Sequence, residues 1–79
     1  MTFARILRRV RLRKKLTQNE VAVRAGLYTS HVSGLEVGRK SNPSAATVAA
    51  LARALDVPVA ELMAAWAEPR KGLGVNLDA

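Results

Sequence analysis

From Phe3 to Trp66, apolar residues recur at intervals of three and four, the spacing of one face of a helix. Phe3, Ile6, Leu7 and Val10 form the first such stripe, with Arg5, Arg8, Arg9 and Arg13 on the other faces, and predict a helix over about residues 2–15. Thr17 and Glu20 are spaced as a capping box, in which a hydroxyl and a carboxylate reciprocally satisfy orphan amides. A second helix is therefore expected from Gln18 to Ala25, burying Val21, Ala22 and Ala25. Gly26 stands where a left-handed residue closes a helix, and Leu27 then turns inward. A third helix follows over about Thr29–Val37, with Val32 and Leu35 inward and Gly38 at its end. Ser44 is a suitable N-cap for a fourth helix, Ala45–Leu55, whose core face is Val48, Leu51, Ala52 and Leu55. Pro58 suits the first position of a fifth helix running to about Ala67, where Glu68 and Pro69 stop it. The pattern is all-α: one helical domain over residues 1–68, then a tail over 69–79 that is either disordered or a short, dimer-associated strand.

The third helix carries an unusual outer face. At 100° per residue, Ser30, Ser33, Gly34 and Val37 lie opposite the inward pair. A merely solvated face normally fills with Lys, Glu and Gln, which solubilise it at little cost in helix propensity. Small groups there imply that something comes close. Two short helices joined by a glycine turn, the second with a protruding polar face, form a helix-turn-helix arrangement, which places its second helix in the major groove of DNA.

Charge points the same way. The net charge is +7, but residues 1–53 hold eleven of the thirteen Lys and Arg against only Glu20 and Glu36, while the remainder carries a small negative balance. A polycationic body predicts a polyanionic partner, nucleic acid before anionic membrane. No stretch reaches the roughly 18 uncharged apolar residues of a membrane span, because Arg53, Asp56 and Glu61 interrupt the alanine-rich segment. The basic N-terminus lacks the apolar core of a secretory signal and is read as the first folded element. There is no Cys and only one His, so neither a disulfide framework nor a thiolate metal site is available, and no cofactor is expected. The carboxylates are scattered singly rather than paired, which argues against an enzyme. At 79 residues the domain is marginal in size, and association of two chains is plausible.

The stretch "LTQNEVAVRAGLYTSHVSGLEVGRKSNPS" resembles the phage repressor and Cro type of helix-turn-helix domain, the Xre family. In that family a Thr-Gln pair opens the second helix and an Ala-Gly pair closes it, matched here by Thr17, Gln18, Ala25 and Gly26. Val32, Leu35, Glu36 and Gly38 match the marks of its recognition helix. "ALDVPVAEL" corresponds to the helix 4 to helix 5 segment, so the resemblance spans residues 3 to about 65. Tyr28 departs from the usual Ser at the recognition-helix N-cap, Pro58 from a frequent Ser, and Gly34 from the long base-reading side chain often found there.

The resemblance implies a five-helix, lambda-repressor-like domain acting as a sequence-specific transcriptional regulator, a homodimer on a palindromic operator in double-stranded DNA. Its counterpart positions make Thr29, Ser30, Ser33 and Gly34, with His31 at the edge, the base-reading surface. Gln18, Arg39, Lys40 and Asn42 are then phosphate contacts. Arg11 and Glu36 would form a structural ion pair. Leu62, Met63 and Trp66 either finish the core or form a self-complementary patch, and the dimer interface is assigned to them because Trp is favoured at the centre of interfaces. With no Arg or Gln on the reading face, specificity is expected to lean on water bridges and DNA shape. A cytoplasmic, nucleoid-associated protein is implied. The rival reading is an antitoxin-type module whose fifth helix and tail bind a toxin while the same motif binds DNA.

Overall fold

The computed structural model describes residues 2–40 and 43–64, and these form five helices without a strand. The first, α1, spans Phe3–Arg13; the Thr2 hydroxyl caps it by accepting from the Arg5 N–H at 3.3 Å. It is shorter than the periodicity predicts, because Lys15 turns left-handed at φ 60° and the Leu16 N–H closes back onto the Arg11 carbonyl.

Helix α2, Gln18–Ala25, opens on the expected capping box: the Glu20 N–H donates to the Thr17 hydroxyl at 3.0 Å and the Thr17 N–H to the Glu20 carboxylate at 2.8 Å. Gly26 closes it at φ 72°, and the Leu27 N–H reaches the Ala22 carbonyl at 2.9 Å. A side chain is strained in that conformation, which is why glycine stands here. Helix α3 is Thr29–Glu36, one residue short of the expectation, with Val37 as its cap and Gly38 at φ 87° beyond it. Helix α4, Ala45–Leu55, begins on the Ser44 hydroxyl, as predicted, and ends on Asp56 in the left-handed region at φ 58°. Aspartate tolerates that region better than most side chains, and Val57 then repeats the closure made by Leu27, donating to Ala52.

The fifth helix differs most. Pro58 is the N-cap of α5 rather than its first residue, and α5 covers Val59–Leu62. The expected continuation to Ala67, and the tail over 69–79, lie outside the described residues.

The predicted apolar stripes meet in one core. Leu7, Val21, Val32, Leu35, Leu51 and Leu62 are fully buried, with Phe3, Ile6, Val10, Val48 and Leu55 beside them. Helix α2 packs against α3 and α4, α1 against α3 and α5, and α5 rests on α4. Ala25 is half-buried rather than a core residue. Leu62, expected at a dimer interface, is 0% exposed: it finishes the core and is not available to a partner. An exposed ion pair, Arg13 to Glu61 at 2.7 Å, joins α1 to α5, and such pairs contribute at most about 1 kcal/mol.

Candidate nucleic-acid interface

The angle between α2 and α3 is fixed by four ties. Gly26 makes the turn, Leu27 tucks against the core, and at the mouth of the turn the Thr29 hydroxyl donates to Asn19 Oδ1 at 2.9 Å. Thr29 is thus the first residue of α3, tied to the first turn of α2. Tyr28, the N-cap, makes no side-chain capping bond and is largely exposed. Asn19 carried no signal in the sequence, since its role depends on a residue ten positions away across the turn.

The fourth tie is charged. Glu36, with its side chain only 3% exposed, receives Arg11 Nε at 2.6 Å on one oxygen and Arg11 Nη2 at 3.0 Å on the other. Arg11 Nη1 also donates to the Leu16 carbonyl at 2.8 Å. Gln18 Nε2 completes the node with a 3.1 Å bond to the same carboxylate. Such a two-pronged, charge-assisted arrangement fixes orientation as well as distance. The hydrogen bond to Glu36 raises the Arg11 pKa above its ordinary value; burial works against this and the carboxylate charge adds to it. The implied Arg11–Glu36 pair is therefore present, and it links α1, α2 and α3 at one point. Gln18 was expected at a phosphate; within the protein its carboxamide serves this node.

On the far side of α3 the picture reverses. Ser30 is exposed, Ser33 and His31 are half-buried, and none of the three side chains has a partner among the described residues. Val37 is 62% exposed on the same face, an apolar group of the kind that meets a thymine methyl and one not assigned to the reading surface from sequence. Gly34 departs from expectation. It is buried rather than open, because the Lys40 side chain lies over it: a methyl group on Gly34 would sit 3.5 Å from Lys40 Cε, 3.6 Å from Cδ and 3.7 Å from Cγ. The chain leaving α3 folds back to make this contact, with the Arg39 and Lys40 N–H groups donating to the Gly34 carbonyl at 3.0 and 3.3 Å. Arg39 and Lys40 are exposed beside the reading face. Asn42 and Trp66, expected at a phosphate and at the dimer interface, lie outside the described residues. Met63 is 40% exposed and Val59 44%.

The arrangement offers hydroxyls, one apolar contact and two cations on a single surface. Among the described residues no three His, Cys, Asp or Glu lie close enough together to hold a metal ion, and no helix is long and apolar enough to cross a membrane.

Two helices held at a fixed angle by a glycine turn, with the second presenting a free polar face, define a helix-turn-helix domain. The family model of that name matches residues 2–66, and the chain belongs to this family. It is 41% identical over 63 residues to RghRB, an uncharacterized HTH-type transcriptional regulator of Bacillus subtilis, covering 80% of this chain and 45% of that protein. It is 37% identical over 62 residues to RghR, an HTH-type transcriptional repressor of the same organism, covering 78% of this chain and 46% of the relative. The chain thus spans less than half the length of these two proteins. The HTH-type regulator y4dJ of Sinorhizobium fredii is 46% identical over 55 residues, 70% of each chain. Among solved structures, the restriction-modification controller protein C.AhdI from Aeromonas hydrophila superposes with a TM-score of 0.73 at 40% identity, over 76% of this chain and 89% of that one. These likenesses bear out the family resemblance drawn from residues 3 to about 65, Leu16–Ser44 above all, and the all-α class.

Proposed function

We propose that this chain is a sequence-specific, DNA-binding transcriptional regulator that works in the cytoplasm as a homodimer, each α3 entering the major groove at one half of a palindromic operator. The observation that carries the reading is the two-sided α3: clamped by Glu36 on its inner side, and presenting Ser30, Ser33 and Val37 beside Arg39 and Lys40 on its outer side. The names of its relatives, regulators and a controller protein, support the same class. Thr29, Ser30, Ser33 and His31 are assigned to base edges and Arg39 and Asn42 to phosphates; the first amides of α2, with the rest of the Gln18 carboxamide, form a further phosphate site. Val59 on α5 and Met63 at its end, both apolar and exposed, are assigned with Trp66 to the two-fold interface, which would set the recognition helices about one DNA turn apart. No described residue favours the antitoxin reading.

The test is a fluorescence-anisotropy titration against the DNA upstream of the gene and against a scrambled duplex, at two salt concentrations. A preference of about a thousandfold for one site, with steep salt dependence on both, is expected. Equal, weak and salt-sensitive binding to both would sink the reading, because charge alone would then be acting.

A further inference from the structure

The outer face of α3 contains no Lys, Arg, Asp or Glu of its own: Glu36 is turned to Arg11, and Ser30, His31, Ser33, Gly34 and Val37 make up the rest. Yet one cation is seated on it. The three methylenes Cγ, Cδ and Cε of Lys40 all lie within 3.7 Å of the place a Gly34 methyl group would take, so the stem runs flat across the helix instead of out into solvent. A lysine stem packs well on apolar backbone in this way while its head stays in water. The seat exists because residue 34 has no side chain, and because the two backbone bonds from Arg39 and Lys40 to the Gly34 carbonyl draw the loop back over the helix. The ammonium, one bond beyond Cε, therefore stays close to the outer face of α3 at Gly34. No described residue forms an ion pair or hydrogen bond with it.

We propose that Lys40 is a specificity-determining residue: seated on Gly34, it carries its ammonium to the place a long side chain at position 34 would occupy, and donates there to the O6 and N7 acceptors of a guanine. The proposal rests on DNA recognition by α3 as read above, and it moves Lys40 from the phosphate contacts, where its place in the loop put it, to the base edges. Lysine suits this role because guanine presents two adjacent acceptors in the major groove. Arg39 is the contrast. Only its backbone N–H is engaged among the described residues, its side chain is exposed, and it stays a phosphate contact.

Selection from a randomised duplex pool, followed by anisotropy titration on the selected operator, its single-base-pair variants and a scrambled duplex, tests this with the full chain and the variants Lys40→Met, Arg39→Met and Gly34→Leu. Lys40→Met keeps the apolar stem over Gly34 and removes only the ammonium. It is expected to bind the operator about tenfold to a hundredfold more weakly and to lose the preference for guanine at one position in each half-site. On the scrambled duplex it should lose only what one missing charge costs. Arg39→Met should weaken binding to all sequences alike, with a reduced salt slope. Gly34→Leu, which removes the seat and leaves Lys40 intact, should lose the same guanine preference as Lys40→Met. If Lys40→Met keeps that preference and weakens every duplex equally, Lys40 is a phosphate contact and the proposal falls while the regulator reading stands. If the unsubstituted chain enriches no sequence, both fall together.

Discussion

The two sides of α3 are built on opposite principles. On the inner side Glu36 is held by Arg11 on both oxygens and by Gln18 on one, with every donor supplied by the protein. On the outer side the side chains of Ser30, Ser33 and Val37 have no hydrogen-bond partner among the described residues, and the long side chain seated there, Lys40, arrives from a loop. The difference teaches what an eight-residue helix needs in order to read another molecule. Such a helix is too short to be stable alone, so its geometry must come from tertiary bonds. Those bonds occupy the side chains that form them, and what is left over, together with Thr29 at the turn, is the reading surface.

The contrast breaks most readily from the inside. Glu36→Ala leaves the Arg11 guanidinium half-buried without its carboxylate and is expected to cost about 3 kcal/mol, read as a lower urea midpoint, with loss of operator binding even though no outer-face residue has changed. A change within about 0.5 kcal/mol would mean that the node does not hold α3.

On the outer side the expectation has the opposite sign. A methyl group at Gly34 meets Lys40 only at ordinary contact distance, and Gly34 lies within a regular helix, so Gly34→Ala should stabilise the domain by about 0.5–1 kcal/mol in the same titration and leave the operator preference intact. A loss of stability would show that the seat of Lys40 is tighter than these distances allow.

The smallest effect concerns the start of α2. The Glu20 carboxylate accepts the Thr17 N–H, and that bond, with a smaller contribution from the Thr17 side chain, lowers its pKa below the ordinary value. A group whose folded pKa is depressed stabilises the fold above its unfolded value, about pH 4.3, and this contribution is lost as the pH falls through the folded value. Urea midpoints of the natural chain and of Glu20→Gln, measured from about pH 7 to pH 2, should therefore differ slightly at neutral pH and converge in acid. A gap that widens on acidification contradicts the assignment.

Local chemistry was enough to place α2 and α4 at their observed ends, because a capping box, a left-handed glycine and a serine N-cap each act within a few residues. The end of α1 was misplaced for the same reason: Lys15 carries no local mark of the left-handed turn it makes, and that turn is needed to bring Leu16 onto Arg11. Leu62 was equally illegible. Its spacing marks it as apolar, but whether α4 or a second chain covers it depends on where α5 comes to rest.

The chain itself therefore determined the helices, their inward stripes, the glycine turn and the basic balance of the N-terminal body, all of which follow from periodicity, caps and composition. Family resemblance added the Arg11–Glu36 pair. Only the tertiary structure decided that Gln18 and Asn19 brace the reading helix, that Leu62 closes the core, and that Lys40 lies over Gly34. Each of those is a contact made when the chain folds back on itself, whether six residues on or eighteen, and contacts of that kind leave no periodic trace along the chain.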